Sequence, residues 1–150
     1  MIKRVFDLFF SIAGLIFFMP LFFIVSILVK LDSKGPVFFL QIRVGKDAKM
    51  FQIIKFRTMH DNNNSNSTIS VFGDSRITSF GKFLRRFKID ELPELLNIFK
   101  GEMSFVGPRP DVPGYADKLV GEDRKILMLK PGITSLASLK YSNEEKLLSK

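Results

Sequence analysis

From Leu8 to Val29 the chain runs for 22 residues without a charged side chain, LFFSIAGLIFFMPLFFIVSILV, with a proline at position 20. As one helix this run would reach ~33 Å, enough to cross a bilayer core of ~30 Å. Pro20 opposes a straight helix, because it has no N–H to donate and its ring meets the carbonyl one turn back. It divides the run into limbs 8–19 and 21–29, roughly 18 Å and 14 Å long, each about one leaflet deep. Lys3 and Arg4 flank one end, Lys30 and Lys34 the other, whereas a spanning helix usually keeps its basic flank on one side. The segment is therefore expected to be re-entrant, broken at Pro20, with both ends on one face. An ordinary spanning helix is the competing reading, since membrane helices tolerate proline. A cleaved signal peptide fits worse, because the run is long and VKLDSKG offers no small-x-small cleavage site.

The rest of the composition agrees with a lipid surface. Hydrophobic residues make up 46% of the 150, with 17 Phe and no Trp, yet the net charge is +8 and the pI about 9.8. Greasy and basic together point to nucleic acid or to an anionic membrane. Nucleic acid is disfavoured, since the basic residues lie beside aromatic helix faces and no base-reading motif occurs. Without cysteine there are no disulfides or thiolate metal sites, and His60, the only histidine, excludes a multi-histidine metal centre.

Past Gly35-Pro36, VFFLQIRV and MFQIIKFRTM are rich in β-branched and aromatic residues and are separated by GKDAK, which predicts a β-hairpin. HDNNNSNSTIS reads as an exposed loop. In SFGKFLRRFK, Phe80, Phe83, Leu84 and Phe87 share one helical face, while Lys82, Arg85, Arg86 and Lys88 occupy the others. That pattern suits a helix in a membrane interface, and equally a surface helix with its Phe face in the core. PELLNIFKG predicts a short helix with Pro93 in its first turn and Gly101 as its stop. KLVGEDRKILMLKPGIT reads as helical up to Lys130, and NEEKLLSK as a polar helical fragment.

Chemistry concentrates in KIDELPELLNIFKGEMSFVGPRP. Asp90 and Glu91 precede a helix, where acids commonly cap orphan N–H groups. The same position attracts phosphate, and Arg85, Arg86, Lys88 and Arg109 would surround it with positive charge. In such a setting a carboxylate stays ionised, as nucleophile or metal ligand. Adjacent acids, basic clamps and no histidine base suit phosphoryl transfer with a divalent ion. The two prolines of VGPRP stiffen the backbone around Arg109, whose fork suits bidentate phosphate contact; a turn with its arginine in water is the plain alternative.

PVFFLQIRVGKDAKMFQIIKFRTM, GDSRITSFGKFLRRFKIDELPELLNIFKGEMSFVGPRP and KPGIT together closely resemble the bacterial sugar transferase family, monotopic phosphoglycosyl transferases that begin glycan assembly on a polyprenyl phosphate. The resemblance covers essentially the whole chain. It implies an α+β, mostly helical fold: a re-entrant helix hairpin broken at Pro20, a small β-hairpin, and interfacial amphipathic helices around a cytoplasmic-face site. Residues 1–34 would form the membrane element and 35–150 the catalytic domain, at the bacterial inner (cytoplasmic) membrane. Asp90 would be the nucleophile attacking the sugar-linked phosphate of a UDP-sugar and releasing UMP, and Glu91 the acid that binds Mg²⁺. Arg85, Lys55 and Arg109 match the family's phosphate-handling basic residues. The implied partners are the UDP-sugar, undecaprenyl or another polyprenyl phosphate, membrane lipids and downstream glycosyltransferases, with no nucleic acid. Three departures stand out. Met19 replaces a serine before the breaking proline, leaving the break to Pro20 with Ser11 or Ser26. Ser142 stands where an arginine is usual. The chain also ends where members continue, as a truncated form would. A membrane-anchored binding or scaffold protein that has lost catalysis is the alternative.

Overall fold

The structure is a computed structural model that describes residues 2–60 and 74–135; most of the polar loop tract, the NEEKLLSK fragment and Ser142 lie outside them. Helix α1 (Ile2–Phe17) and helix α2 (Met19–Asp32) lead into an antiparallel hairpin of β1 (Phe38–Val44) and β2 (Met50–Phe56). Helices α3 (Ser79–Arg86) and α4 (Glu94–Lys100) follow, and β3 (Ser104–Val106) pairs in parallel with β4 (Gly132–Thr134). The fold is α+β, with about half of the described residues helical rather than most. One reason is the stretch Gly121–Met128, expected as α-helix but formed as 3-10 turns. Only Leu127 in it is buried, so no apolar stripe packs against the body to hold a regular α-helix.

The apolar run is a pair of helices bent by 60°, and no single described helix is long and apolar enough to cross a membrane. The break falls at Phe18, one residue after α1 ends, with Pro20 in the first turn of α2. Pro20 cannot donate to the preceding turn, while Phe18 N bonds Gly14 O at 2.9 Å and Phe22 N bonds Phe18 O at 2.8 Å, so both limbs stay helical. Ser26 Oγ adds a 2.6 Å bond to Phe22 O and Ser11 Oγ one of 3.0 Å to Leu8 O. The pair is an open elbow, not limbs folded flat on each other.

The inner side of the elbow is packed. Leu15 and Phe18 lie against a core of Phe51, Ile53, Leu95, Ile98 and Met103; Leu21 and Phe22 lie against a second core of Val25, Val29, Phe56 and Leu84. The outer side carries Phe9, Phe17, Met19 and Phe23, with Phe17 77% and Phe23 69% exposed.

Both ends of the elbow are tied to the same body. Arg4 donates to the Ile98 and Phe99 carbonyls in the last turn of α4, at 2.6 and 2.8 Å, and Lys3 donates to Val106 O at 2.9 Å. Buried Asp7 accepts from Ser104 Oγ at 3.1 Å and Phe105 N at 3.3 Å. At the other end, buried Arg57 donates to Ser33 O at 2.6 Å and Val29 O at 3.4 Å. Arginines thus serve the orphan carbonyls at the C-termini of α4 and α2.

Candidate active site

Two local devices set the site. Thr58 and Thr78 are buried where α3 begins, and Thr78 Oγ1 accepts from Gly81 N at 2.9 Å as the N-cap. A Cβ at Gly81 would overlap the Thr58 carbonyl, so glycine lets the helix sit directly on the strand end. At the far end of α3, Lys88 takes a left-handed conformation (φ 57°), which a non-glycine residue adopts at some strain. This corner turns the chain into the 3-10 turn Ile89–Glu91 and carries Asp90 into the interior.

Helix α4 is registered by Asn97, which is fully buried. Its Oδ1 accepts from Ile54 N at 3.0 Å, and its Nδ2 donates to Gln52 O at 2.6 Å and Glu102 Oε2 at 2.7 Å. The side chain thereby completes the edge of β2 that β1 does not pair. One turn earlier on the helix, Glu94 comes to rest beside Lys55 of β2. Lys55 Nζ lies 2.7 Å from Glu91 Oε1 and 3.2 Å from Glu94 Oε1.

The electrostatics separate the three acids. Burial raises Asp90, and the adjacent Glu91 raises it further, against Lys55, Arg85 and Lys88. Its cationic surroundings therefore do not bring Asp90 below the ordinary carboxylate value, because desolvation outweighs them. Glu91 is the acid held down, because Lys55, Lys88 and Arg109 overcome its own burial. Glu94, 2% exposed, is pushed to about 7 by burial, with Glu91 and Asp90 adding to the shift and Lys55 opposing it. Lys55 in turn is raised, its three acidic neighbours outweighing desolvation.

Asp90 and Glu91 do not serve as helix caps here. Neither the 3-10 turn nor α4 has a side-chain cap hydrogen bond. Asp90 Oδ1 is enclosed and has no hydrogen-bond partner. Arg85 Nε donates to Thr58 Oγ1 at 3.0 Å while its charge acts on Asp90. Arg109 is exposed on a loop pinned from behind, since Gly107 N bonds Thr134 O at 3.0 Å and Gly132 N bonds Pro108 O at 2.9 Å. A Cβ at Gly107 would overlap the Lys130 carbonyl oxygen, so the PGIT strand and the Pro-Arg-Pro loop meet backbone to backbone. Asp90, Glu91, Lys55, Arg85 and Arg109 thus fall within one electrostatic neighbourhood, with Pro20 apart at the elbow.

Glu94 and Asn97 went unread in the sequence. Their signal was the spacing Asp90-Glu91-x-x-Glu94-x-x-Asn97, which returns to one helical face every three or four residues. The proposed amphipathic face of α3 divides: Leu84 is fully buried and Phe80 packs against it, while Phe83 and Phe87 are exposed. Phe83 stacks on Phe80 and touches Phe87, and the Arg86 guanidinium lies over the Phe87 ring.

The sequence profile of the bacterial sugar transferase family matches residues 1–150. The chain is 41% identical over 147 residues to an exopolysaccharide production protein of Rhizobium leguminosarum, covering 93% of this chain and 74% of that one. It is 39% identical over 145 residues to the UDP-N-acetylgalactosamine-undecaprenyl-phosphate N-acetylgalactosaminephosphotransferase of Aeromonas hydrophila, covering 92% of this chain and 34% of that one. A UDP-glucose:undecaprenyl-phosphate glucose-1-phosphate transferase of Caulobacter vibrioides is 38% identical over 142 residues, 92% of this chain and 53% of its own. The chain belongs to the bacterial sugar transferase family. It spans a third to a half of the two relatives named for their substrates.

Proposed function

We propose that this chain moves a sugar 1-phosphate from a UDP-sugar to polyprenyl phosphate, through a covalent intermediate on Asp90. The relatives' names supply the substrate classes. The observation that carries the covalent step is Asp90 itself: buried, uncommitted at Oδ1, and faced by Lys55, Arg85 and Lys88. An acid whose only task was capping would spend its oxygens on backbone N–H groups.

In the first step an Asp90 carboxylate oxygen attacks the phosphorus that carries the sugar. The bond from that phosphorus to the bridging oxygen breaks, UMP leaves with that oxygen, and an aspartyl phosphosugar remains. In the second step a phosphate oxygen of the polyprenyl carrier attacks the same phosphorus, and the aspartyl oxygen departs as the regenerated carboxylate. Arg85 and Arg109 would hold the donor's phosphates, and Lys55 keeps Glu91 and Glu94 in place behind the nucleophile. The lipid-linked product then passes to downstream glycosyltransferases.

Among the described residues no trio of acids or histidines is disposed to hold a metal by itself. Mg²⁺ does not require one, since it uses one or two carboxylates and completes its shell with substrate phosphates and water. Glu91, held ionised, and the uncommitted Asp90 oxygen are the hard donors present. Bound there with substrate, Mg²⁺ would neutralise the diphosphate and favour the ionised form of Asp90.

We place the site at the cytoplasmic face of the bacterial inner membrane, with residues 1–34 re-entrant and 35–150 forming the catalytic domain. The bend at Phe18 and Pro20, the exposed outer face of the elbow, and the anchoring of both its ends to one body support this. Phe83 and Phe87 beside Arg86 extend the lipid-facing surface. A UMP-release assay on solubilised protein, with a panel of UDP-sugars and polyprenyl phosphate, tests the reaction. Release that requires a UDP-sugar is expected, and a folded protein that releases none from any donor would overturn the proposal.

A further inference from the structure

Arg43 is a charged residue on the inner face of the hairpin. The register places Arg43 opposite Phe51 and Lys55 opposite Phe39, so residues 39, 41 and 43 share a face with Lys55 and with buried Phe51 and Ile53. From this face Arg43 Nη1 reaches the Pro110 carbonyl at 3.2 Å, and the neighbouring Val44 N bonds Asp111 O at 2.9 Å. The hairpin therefore grips the loop on the C-terminal side of Arg109, bonding the carbonyl of the residue that follows it, and the Arg43 charge lies within electrostatic reach of Arg109.

The way Arg43 is bonded leaves one edge for a ligand. Pro110 takes Nη1. The side edge, Nε with Nη2, is the part of a guanidinium that pairs with two oxygens of one anion. On that edge Nη2 donates to the Gln41 amide oxygen at 2.6 Å, and Nε is enclosed with no partner. A neutral side chain thus occupies half of a bidentate edge, and the other half is enclosed without a partner. Burial, and next the Arg109 charge, lower the Arg43 pKa from the ordinary arginine value, with Asp111 and Glu94 opposing. An anion bound between two like charges lowers their mutual repulsion.

We infer that Arg43 and Arg109 form a two-guanidinium cradle for phosphate, which Arg43 enters by exchanging Gln41 for phosphate oxygens along its Nε–Nη2 edge. This rests on the proposed transfer reaction and assigns the cradle to the diphosphate of the sugar nucleotide. The polyprenyl phosphate offers the same chemistry, so the test must tell the two apart.

Full-length protein in lipid nanodiscs serves for two measurements on wild type, Arg43→Gln and Arg43→Lys. The first is the rise in Tm on adding inorganic pyrophosphate, which needs no turnover. The second is KM for each substrate. Arg43→Gln is expected to lose the pyrophosphate response and to raise KM for the UDP-sugar about tenfold, with KM for polyprenyl phosphate changed less than about twofold. Arg43→Lys keeps a charge and a donor for Pro110 O, so its ligand-free Tm should match wild type while the UDP-sugar KM stays raised; it decides the matter if Arg43→Gln does not fold. An undiminished pyrophosphate response in Arg43→Gln would overturn the cradle. So would a KM effect confined to polyprenyl phosphate, or full rescue by Arg43→Lys of both KM values, which would make Arg43 a tether for the loop. Wild type that binds pyrophosphate but releases no UMP would sink the transfer reaction and leave the cradle standing. Normal UMP release with an unaffected Arg43→Gln would do the reverse.

Discussion

At the scale of single residues, three neighbouring acids are given different proton affinities. Lys55 holds Glu91 ionised, while burial lifts Asp90 and carries Glu94 to about 7. Asp90→Asn separates nucleophile from cap, since asparagine caps about as well as aspartate. UMP release should fall on the order of a thousandfold with the thermal midpoint nearly unchanged. Glu94 makes a second, pH-dependent prediction. Its folded pKa of about 7 lies above its ordinary value of 4.5, so the native state binds more protons than the unfolded chain between the two. Stability from this group is therefore full below pH 4.5 and lost as pH rises through about 7. Glu94→Gln should flatten that part of the Tm-against-pH curve; a slope equal to wild type would contradict the assignment. Asp90, Glu91, Lys55, Arg85 and Arg109 stand out in the sequence as candidates because their motifs are local. Arg43 does not, because which way a strand residue faces, and what it meets, depends on register and on a loop 67 residues away.

At the scale of elements, position is set by side chains that substitute for missing backbone partners. Asn97 completes the open edge of β2, and its loss leaves Ile54 N and Gln52 O without partners at a partly buried strand edge. Asn97→Ala should cost on the order of 2–4 kcal/mol by denaturant unfolding. It should also lower activity, because Glu94 and Lys55 lose their register. The hairpin could be read from β-branched and aromatic runs around a polar turn, and α4 from Pro93 and Gly101, the latter in the left-handed conformation at the helix end. The 3-10 stretch at Gly121–Met128 could not, since a helical composition without a buried face gives no sign of which helix it will form. Asp7 was equally hidden: it lies one residue before the apolar run, and only Ser104 and Phe105, almost a hundred positions later, explain it.

At the scale of the whole molecule, the elbow and the body are one packed unit. A straight helix would carry its two ends to opposite sides of a bilayer, whereas Arg4 and Arg57 anchor both to the same body. The chain has no native cysteine, so single cysteines at Ile2 and Lys34 can be labelled without background. Both should react from the same side of sealed vesicles, and labelling from opposite sides would rule out re-entrance. Pro20→Leu, by restoring the missing hydrogen bond, should shift part of the population toward opposite-side labelling. Pro20 made the break readable in the sequence. The angle of the bend was not, because it follows from Phe18 and Phe22 packing into two cores assembled by distant strands.

The most direct test of the central claim is the intact mass of the protein after incubation with a UDP-sugar and Mg²⁺ but no lipid acceptor. Covalent catalysis by Asp90 requires one added phosphosugar on wild type, none on Asp90→Asn, and loss of the adduct when polyprenyl phosphate is supplied. Normal UMP release with no adduct on wild type, or the same adduct on Asp90→Asn, would contradict it.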